Sequence, residues 1–223
     1  MKATKKELFY NEFSDEWESK INRQETEKRL KVVFGKRLEG INLRGKKFLE
    51  IGCGLGYFSE RAVGLGAEVT GLDIGEKLIE KVKQRVPKGK FFVASASNLP
   101  FRNESFDVVL CTEVIEHVDK QKAALSEMLR VLKRRGVLAI TTPNRIFKPL
   151  FIFLSSVGLR PYNSNEKWLF PWEMRSRLVK QGTKIIKEEY FNFIYPIRLL
   201  DFFEKFRLLH LLMINQGYLV SKT

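Results

Sequence analysis

Phe48-Leu49-Glu50-Ile51-Gly52-Cys53-Gly54-Leu55-Gly56-Tyr57 reads as a short apolar strand, a glycine-rich turn and the opening of a helix. Glycine tolerates the positive φ that such a turn needs, and its missing side chain lets a ligand approach the backbone. The helix that follows presents N–H groups with no intrahelical partner. This helix is predicted to run to about Val63, and a second strand, Glu68–Leu72, leads into Asp73. A carboxylate in that position is placed to accept hydrogen bonds from ribose hydroxyls. A lone Gly-x-Gly carries little weight; strand, loop, helix, strand and acid in order carry much more.

Outward from this unit the alternation continues. A helix over Lys77–Arg85 stops before Pro87, and strands are predicted at Lys90–Ala94 and Phe106–Cys111. The next helix starts from Asp119 as N-cap, with Ala124, Leu125, Met128, Leu129 and Leu132 on one face. It is expected to end at the basic turn Arg134-Arg135-Gly136, ahead of a strand at Val137–Thr141. Strands and helices at this spacing imply βαβ units, hence an α/β, Rossmann-like doubly wound and mostly parallel sheet with helices on both faces. Residues 1–44 read as a helical cap, with Trp17, Ile21, Leu30, Val33, Phe34 and Leu38 spaced among charges up to Gly40. Residues 145–172 show no clean period. Beyond them a helix at Glu173–Gln181 ends at Gly182, strands are expected at Lys184–Phe191 and Ile214–Val220, and Ile197–Leu212 suits an amphipathic helix.

The chain has 223 residues, which suits one domain on a scale of roughly 100–200 residues each. We read it as residues 45–143 forming a core, 1–44 a cap, 144–213 an insertion beside the substrate, and 214–223 a last strand. Cys53 and Cys111 fit no metal spacing, and no signal peptide or membrane-length apolar run is evident, so a reduced, cytoplasmic protein is expected. The formal net charge is +14, and residues 144–223 hold 13 basic against 6 acidic groups, half of the excess. Such a surface could meet RNA, anionic headgroups or solvent alone.

Two ligand types compete for the glycine loop. A dinucleotide asks for a third small residue where helix and strand pack closely, and Tyr57 stands there. A mononucleoside without pyrophosphate fits better, and S-adenosylmethionine is the candidate. With Val69-Thr-Gly-Leu-Asp73, Asn98-Leu-Pro-Phe101, Phe106 through His117 and Arg130 through Leu138, the chain resembles the class I S-adenosylmethionine-dependent methyltransferases of methyltransferase type 11. The resemblance spans about residues 46–143. It implies seven strands with an antiparallel last one, and S-adenosylhomocysteine as product. It also implies that Glu50, Gly52, Cys53, Gly54 and Gly56 line the methionine end and that Asp73 holds the ribose. Ile74 would pack on the adenine, Ala96 would meet it through its N–H, and Cys111 would lie beside the ligand. The family often has Asp at the position of Ser95, so here the adenine amino group would meet a neutral acceptor.

The methyl acceptor should lie beyond the carboxyl ends of the strands, near Glu113, Glu116, His117 and the Thr141–Arg145 loop. Glu113-x-x-Glu116-His117 is similar to the segment of quinone-biosynthesis O-methyltransferases that is associated with magnesium. Two carboxylates and an imidazole could hold such an ion, but an all-oxygen shell is more typical, and we favour a site without metal. His117 could serve as general base, with Glu113 beside it, although in-line positioning can suffice for methyl transfer. The aromatic residues of 145–213 suit a small, amphipathic or isoprenoid-like acceptor methylated at oxygen, and the basic excess suits peripheral membrane contact. RNA methylation and a non-catalytic S-adenosylmethionine-binding module are the alternatives. The former lacks any appended RNA-binding motif.

Overall fold

The computed structural model describes residues 23–157, 166–191 and 213–223. Seven strands, β1 (Lys47–Ile51), β2 (Glu68–Asp73), β3 (Lys90–Val93), β4 (Phe106–Thr112), β5 (Leu132–Pro143), β6 (Thr183–Phe191) and β7 (Asn215–Lys222), form one sheet in the order 3-2-1-4-5-7-6. Neighbours pair in parallel from β3 across to β5, and β7 runs antiparallel to both β5 and β6. The expected fold is the observed one. Strand order reverses between β1 and β4, where Ile51 pairs with Cys111, and this opens a crevice at the carboxyl ends of these two strands.

Both faces of the central strands are covered, so they are apolar almost throughout. Leu49, Ile51, Leu72, Val109, Cys111 and Ile140 point to one layer, while Phe48, Val69, Val108, Leu110 and Ala139 point to the other. Helix α1 (Arg23–Leu30) widens into π-type turns over Lys31–Arg37 and buries Val32 and Val33. Helices α2 (Tyr57–Gly64) and α3 (Glu76–Arg85) follow β1 and β2, and α4 (Gln121–Val131) precedes β5. Leu125 and Met128 of α4 are fully buried, each contributing about 1.5–3 kcal/mol through apolar transfer.

Two boundaries differ from expectation. Asp119 is not the cap of α4, which starts at Gln121 after Lys120. The Asp119 carboxylate lies 3.5 Å from Lys167 Nζ, and Gln121 instead bridges the carbonyls of Ile115 and Lys167. Nor does α4 extend to Gly136: it ends at Val131, and β5 begins at the buried Leu132. Gly136 is required by close approach within the strand, since a Cβ there would fall 2.9 Å from the carbonyl oxygen of Asp107.

The aperiodic stretch after Asn144 contains a short helical turn (Arg145–Phe147) that runs into α5 (Lys148–Ser156), and α6 (Pro171–Lys180) follows later. Gly182, at φ +75°, ends α6 as anticipated. Trp17, Ile21 and the helix expected over 197–212 lie outside the described residues.

Candidate functional site

Three loops meet at the crevice. The first is the glycine loop after β1, where the Gly52 and Cys53 N–H groups both donate to the Leu72 carbonyl and tie the loop to β2. Gly52, Gly54 and Gly56 all have positive φ. A Cβ on Gly54 would meet nothing within 4 Å, so the middle of the loop is an open cradle. Cys53 turns its side chain down into the second core layer, so it can meet a ligand only through its backbone. Tyr57 opens α2 with the Arg85 guanidinium 4.3 Å above its ring.

Two acids back this loop. Asp73 accepts the Gly54 N–H on one oxygen and the Gly75 N–H on the other, each at 3.0 Å. Burial pushes its carboxyl up, against the pull of those N–H groups. Glu50 is buried beneath the loop and accepts the Ser59 hydroxyl. Desolvation raises its carboxyl to about 8, with the Asp73 charge adding to the shift. Two desolvated carboxyls next to an open cradle suit a cationic ligand, which would favour their ionised forms.

The second loop follows β3. Ser95 is exposed with its hydroxyl 2.9 Å from that of Ser97, Ala96 is buried, and Ile74 is half-buried after β2. Arg130 of α4 clamps the chain beyond: its guanidinium donates to the Leu99 and Phe101 carbonyls, to Asn103 and to both oxygens of Glu127.

The third loop follows β4. Glu113 adopts φ +55°, strained for a residue with a side chain, and accepts the Thr141 hydroxyl at 2.7 Å and the Asn215 amide at 2.9 Å. Burial pushes its carboxyl up, opposed by Arg29, Thr141, Arg37 and Asn215. Glu116 is buried on the other face of the sheet's end and accepts the Thr142 hydroxyl. Burial, then the Glu113 charge, drive its carboxyl well above the usual range. His117 is partly exposed between two carboxylates, with Nε2 3.9 Å from Glu116 and Nδ1 4.0 Å from Glu166. The Glu166 segment is fixed there by the Lys167 N–H bond to the Glu116 carbonyl and by Trp168 Nε1 on the Glu166 carboxylate. Cys111 is fully buried in the core below. Among the described residues no group of three or more His, Cys, Asp or Glu side chains is arranged to hold a metal ion.

The structure brings the glycine loop against the loop after β4, where Val114 touches Gly52; Asp73 backs the former, and Glu113 and His117 flank Val114 on the latter. Asn215, Arg37 and Glu166 were not foreseen. They reach the site through strand pairing and loop packing, which leave no local motif.

A glycine loop over an acid at the end of β2, set at the switch point of a sheet with an antiparallel seventh strand, defines a class I methyltransferase architecture. A family model described as a methyltransferase domain matches residues 49–140, the segment that holds the glycine loop, Asp73 and the loop after β4. A protein of Mycolicibacterium smegmatis named a probable S-adenosylmethionine-dependent methyltransferase is 39% identical over 47% of this chain and 41% of its own length. A ubiquinone biosynthesis O-methyltransferase of Bartonella bacilliformis is 33% identical over 65% of this chain and 62% of its own. The chain thus spans about half the length of the curated relatives it matches. Magnesium protoporphyrin IX methyltransferase of Synechocystis, crystallised with S-adenosylhomocysteine, superposes with a TM-score of 0.71 at 17% identity, covering 97% of this chain and 99% of that one.

Proposed function

We propose that the chain binds S-adenosylmethionine and transfers its methyl group to the oxygen of a small, amphipathic or isoprenoid-like acceptor. The observation that carries this reading is the open Gly54 cradle held by Asp73, beside a second acid, Glu50, with no cation set against either among the described residues. Bound S-adenosylmethionine would supply an electrophilic methyl on a sulfonium. Asp73 would hold the ribose, Glu50 would balance the positive charge from beneath the loop, and Ile74 and Ala96 would flank the adenine. Ser95, exposed with a neutral hydroxyl, would face its amino group.

On the acceptor side, Glu113 and His117 orient the attacking hydroxyl. His117, whose ring Glu116 and Glu166 flank, would accept the acceptor's hydroxyl proton, while bound S-adenosylmethionine would supply the methyl and leave as S-adenosylhomocysteine. An apolar acceptor is supported by α5, which follows the Thr141–Asn144 edge of the crevice and turns Leu150, Ile152 and Phe153 outward, with Val157 just past its end; all four are more than two-fifths exposed. We assign residues 144–157 to the acceptor side on this basis. The same face, on a chain of net charge +14, supports peripheral contact with an anionic membrane. No helix among the described residues is long and apolar enough to cross one.

The test incubates the purified chain with methyl-labelled S-adenosylmethionine and a cell extract, then separates organic-soluble, small aqueous and macromolecular fractions. Label in the organic phase is the expected result. Label confined to nuclease-sensitive polymer would replace this acceptor with RNA, the reading that the basic last third favours. Binding without turnover in every fraction would leave a non-catalytic binding module.

A further inference from the structure

Arg37, at the end of the helical segment that begins with α1, is fully buried on the face of the sheet. Its guanidinium occupies the space left by Gly217: a Cβ there would fall 1.6 Å from Arg37 Nη1. Nη1 approaches the Ile140 carbonyl at 3.4 Å, and the group lies 4.8 Å over the Phe191 ring. Glu189 of β6 is 3.7 Å from Nη2, beyond hydrogen-bond reach, and among the described residues neither Nε nor Nη2 of Arg37 nor Oε2 of Glu189 has a hydrogen-bond partner. An arginine so buried and so loosely paired projects its charge further than one locked in a bidentate pair.

That charge sits beside the grip on Glu113. Gly217 pairs with Thr141 across the β5–β7 ladder, and Asn215 lies two residues along β7 on the same face. The Thr141 and Asn215 side chains both donate to Glu113. We propose that Arg37 is a positioning residue for Glu113: seated in the Gly217 socket beside the Thr141 and Asn215 bonds, it sets its positive charge behind that side chain and holds it facing the crevice. The inference rests on the role given to Glu113 above. Glu113 is faced by Arg29 and Arg37 from the helical cap, by Glu116 on its own loop and by Cys111 on β4. Arg37 is faced by Glu189 on β6, by Glu113 and by Tyr218 on β7. Burial draws the guanidinium down to about 10, which leaves it charged at neutral pH.

The competing role is purely structural, with Arg37 pinning the helical cap to β6 and β7. Carbon-13 NMR of glutamate-labelled protein separates the two, with the Glu113 carboxyl signal assigned by its loss in Glu113→Gln. Arg37→Met should raise the Glu113 titration midpoint by about one pH unit or more, because a nearby cation is lost. Arg37→Lys should recover most of that shift. Gly217→Ala keeps the arginine but fills its socket, and should also raise the midpoint. A lower melting temperature with an unmoved midpoint in Arg37→Met would make Arg37 an anchor only and overturn the proposal. If Arg37→Met does not fold, an unmoved midpoint in Gly217→Ala does the same. The titration uses no methyl acceptor, so a failure of methyl transfer would be seen separately, in the labelling experiment.

Discussion

Val114 lies directly against Gly52, so that a Cβ on that glycine would fall 2.3 Å from Val114 Cγ2. The contact joins the loop after β1 to the loop after β4 at the point where strand order reverses. Gly52 also holds φ +70°, so the position excludes side chains twice, by backbone conformation and by space. Gly52→Ala should destabilise the protein by about 2–4 kcal/mol from strain and overpacking together. It should also displace Glu113 and cut S-adenosylmethionine affinity. Chemical denaturation and calorimetry on the same variant check both. Unchanged stability would mean that the two loops yield independently.

Asp73 carries two tasks that one substitution can separate. Asp73→Asn retains one carbonyl acceptor for the loop N–H groups but loses the charge. It should weaken S-adenosylmethionine binding roughly 10–100-fold, the value of a charge-assisted hydrogen bond. Asp73→Ala strands both the Gly54 and Gly75 N–H groups and should cost a further ~1–3 kcal/mol of folding stability. Equal melting temperatures for the two variants would show that water satisfies those donors.

The parts of this molecule that were legible beforehand are those whose physics is local. Apolar runs fixed on both faces of a sheet, a loop that needs positive φ, and an acid one strand later can all be seen within about thirty residues. Boundaries failed where tertiary contacts outweighed local signals. Asp119 has the chemistry of a cap, but its carboxylate lies toward Lys167, 48 residues away; Gly136 has the look of a helix stop, but it sits in a strand because β4 passes too close for a side chain. Asn215 and Arg37 reach Glu113 from opposite ends of the chain, by strand register and helix packing. Arg130 was visible only as part of a resemblance, and its use as a clamp needed coordinates.

That clamp makes a distinct prediction. Arg130 ties α4 to the carbonyls of Leu99 and Phe101, on the loop that would flank the adenine. The Glu127 carboxyl is held low chiefly by this guanidinium, a sign that the pair is ionised. Arg130→Met should cost about 2–3 kcal/mol, discounted from the sum of its bonds because the group is partly exposed. It should raise hydrogen exchange at residues 95–103 before it affects β1. Faster exchange spread evenly over the sheet would count against a local clamp.

Glu50 sets the expected pH dependence. Its carboxyl is pushed from 4.5 to about 8 in the folded, ligand-free chain, first by burial. Between those values the native state keeps a proton that the unfolded chain has released, so this group's contribution to stability falls as pH rises from about 4.5 towards 8. Ligand binding runs the other way. A cationic ligand favours the ionised carboxylate, so S-adenosylmethionine affinity should climb with pH below about 8, approaching tenfold per unit, and level off above it. Proton release on binding, seen as a dependence of the calorimetric heat on buffer ionisation enthalpy, should approach one per ligand well below pH 8 and vanish above it. Glu50→Gln is close in shape and still hydrogen-bonds Ser59, so it should flatten both the stability and the affinity profiles while lowering the plateau affinity. A wild-type affinity that is flat from pH 6 to 9 would place the ligand's positive charge away from Glu50 and leave Asp73 to balance it beside the glycine loop.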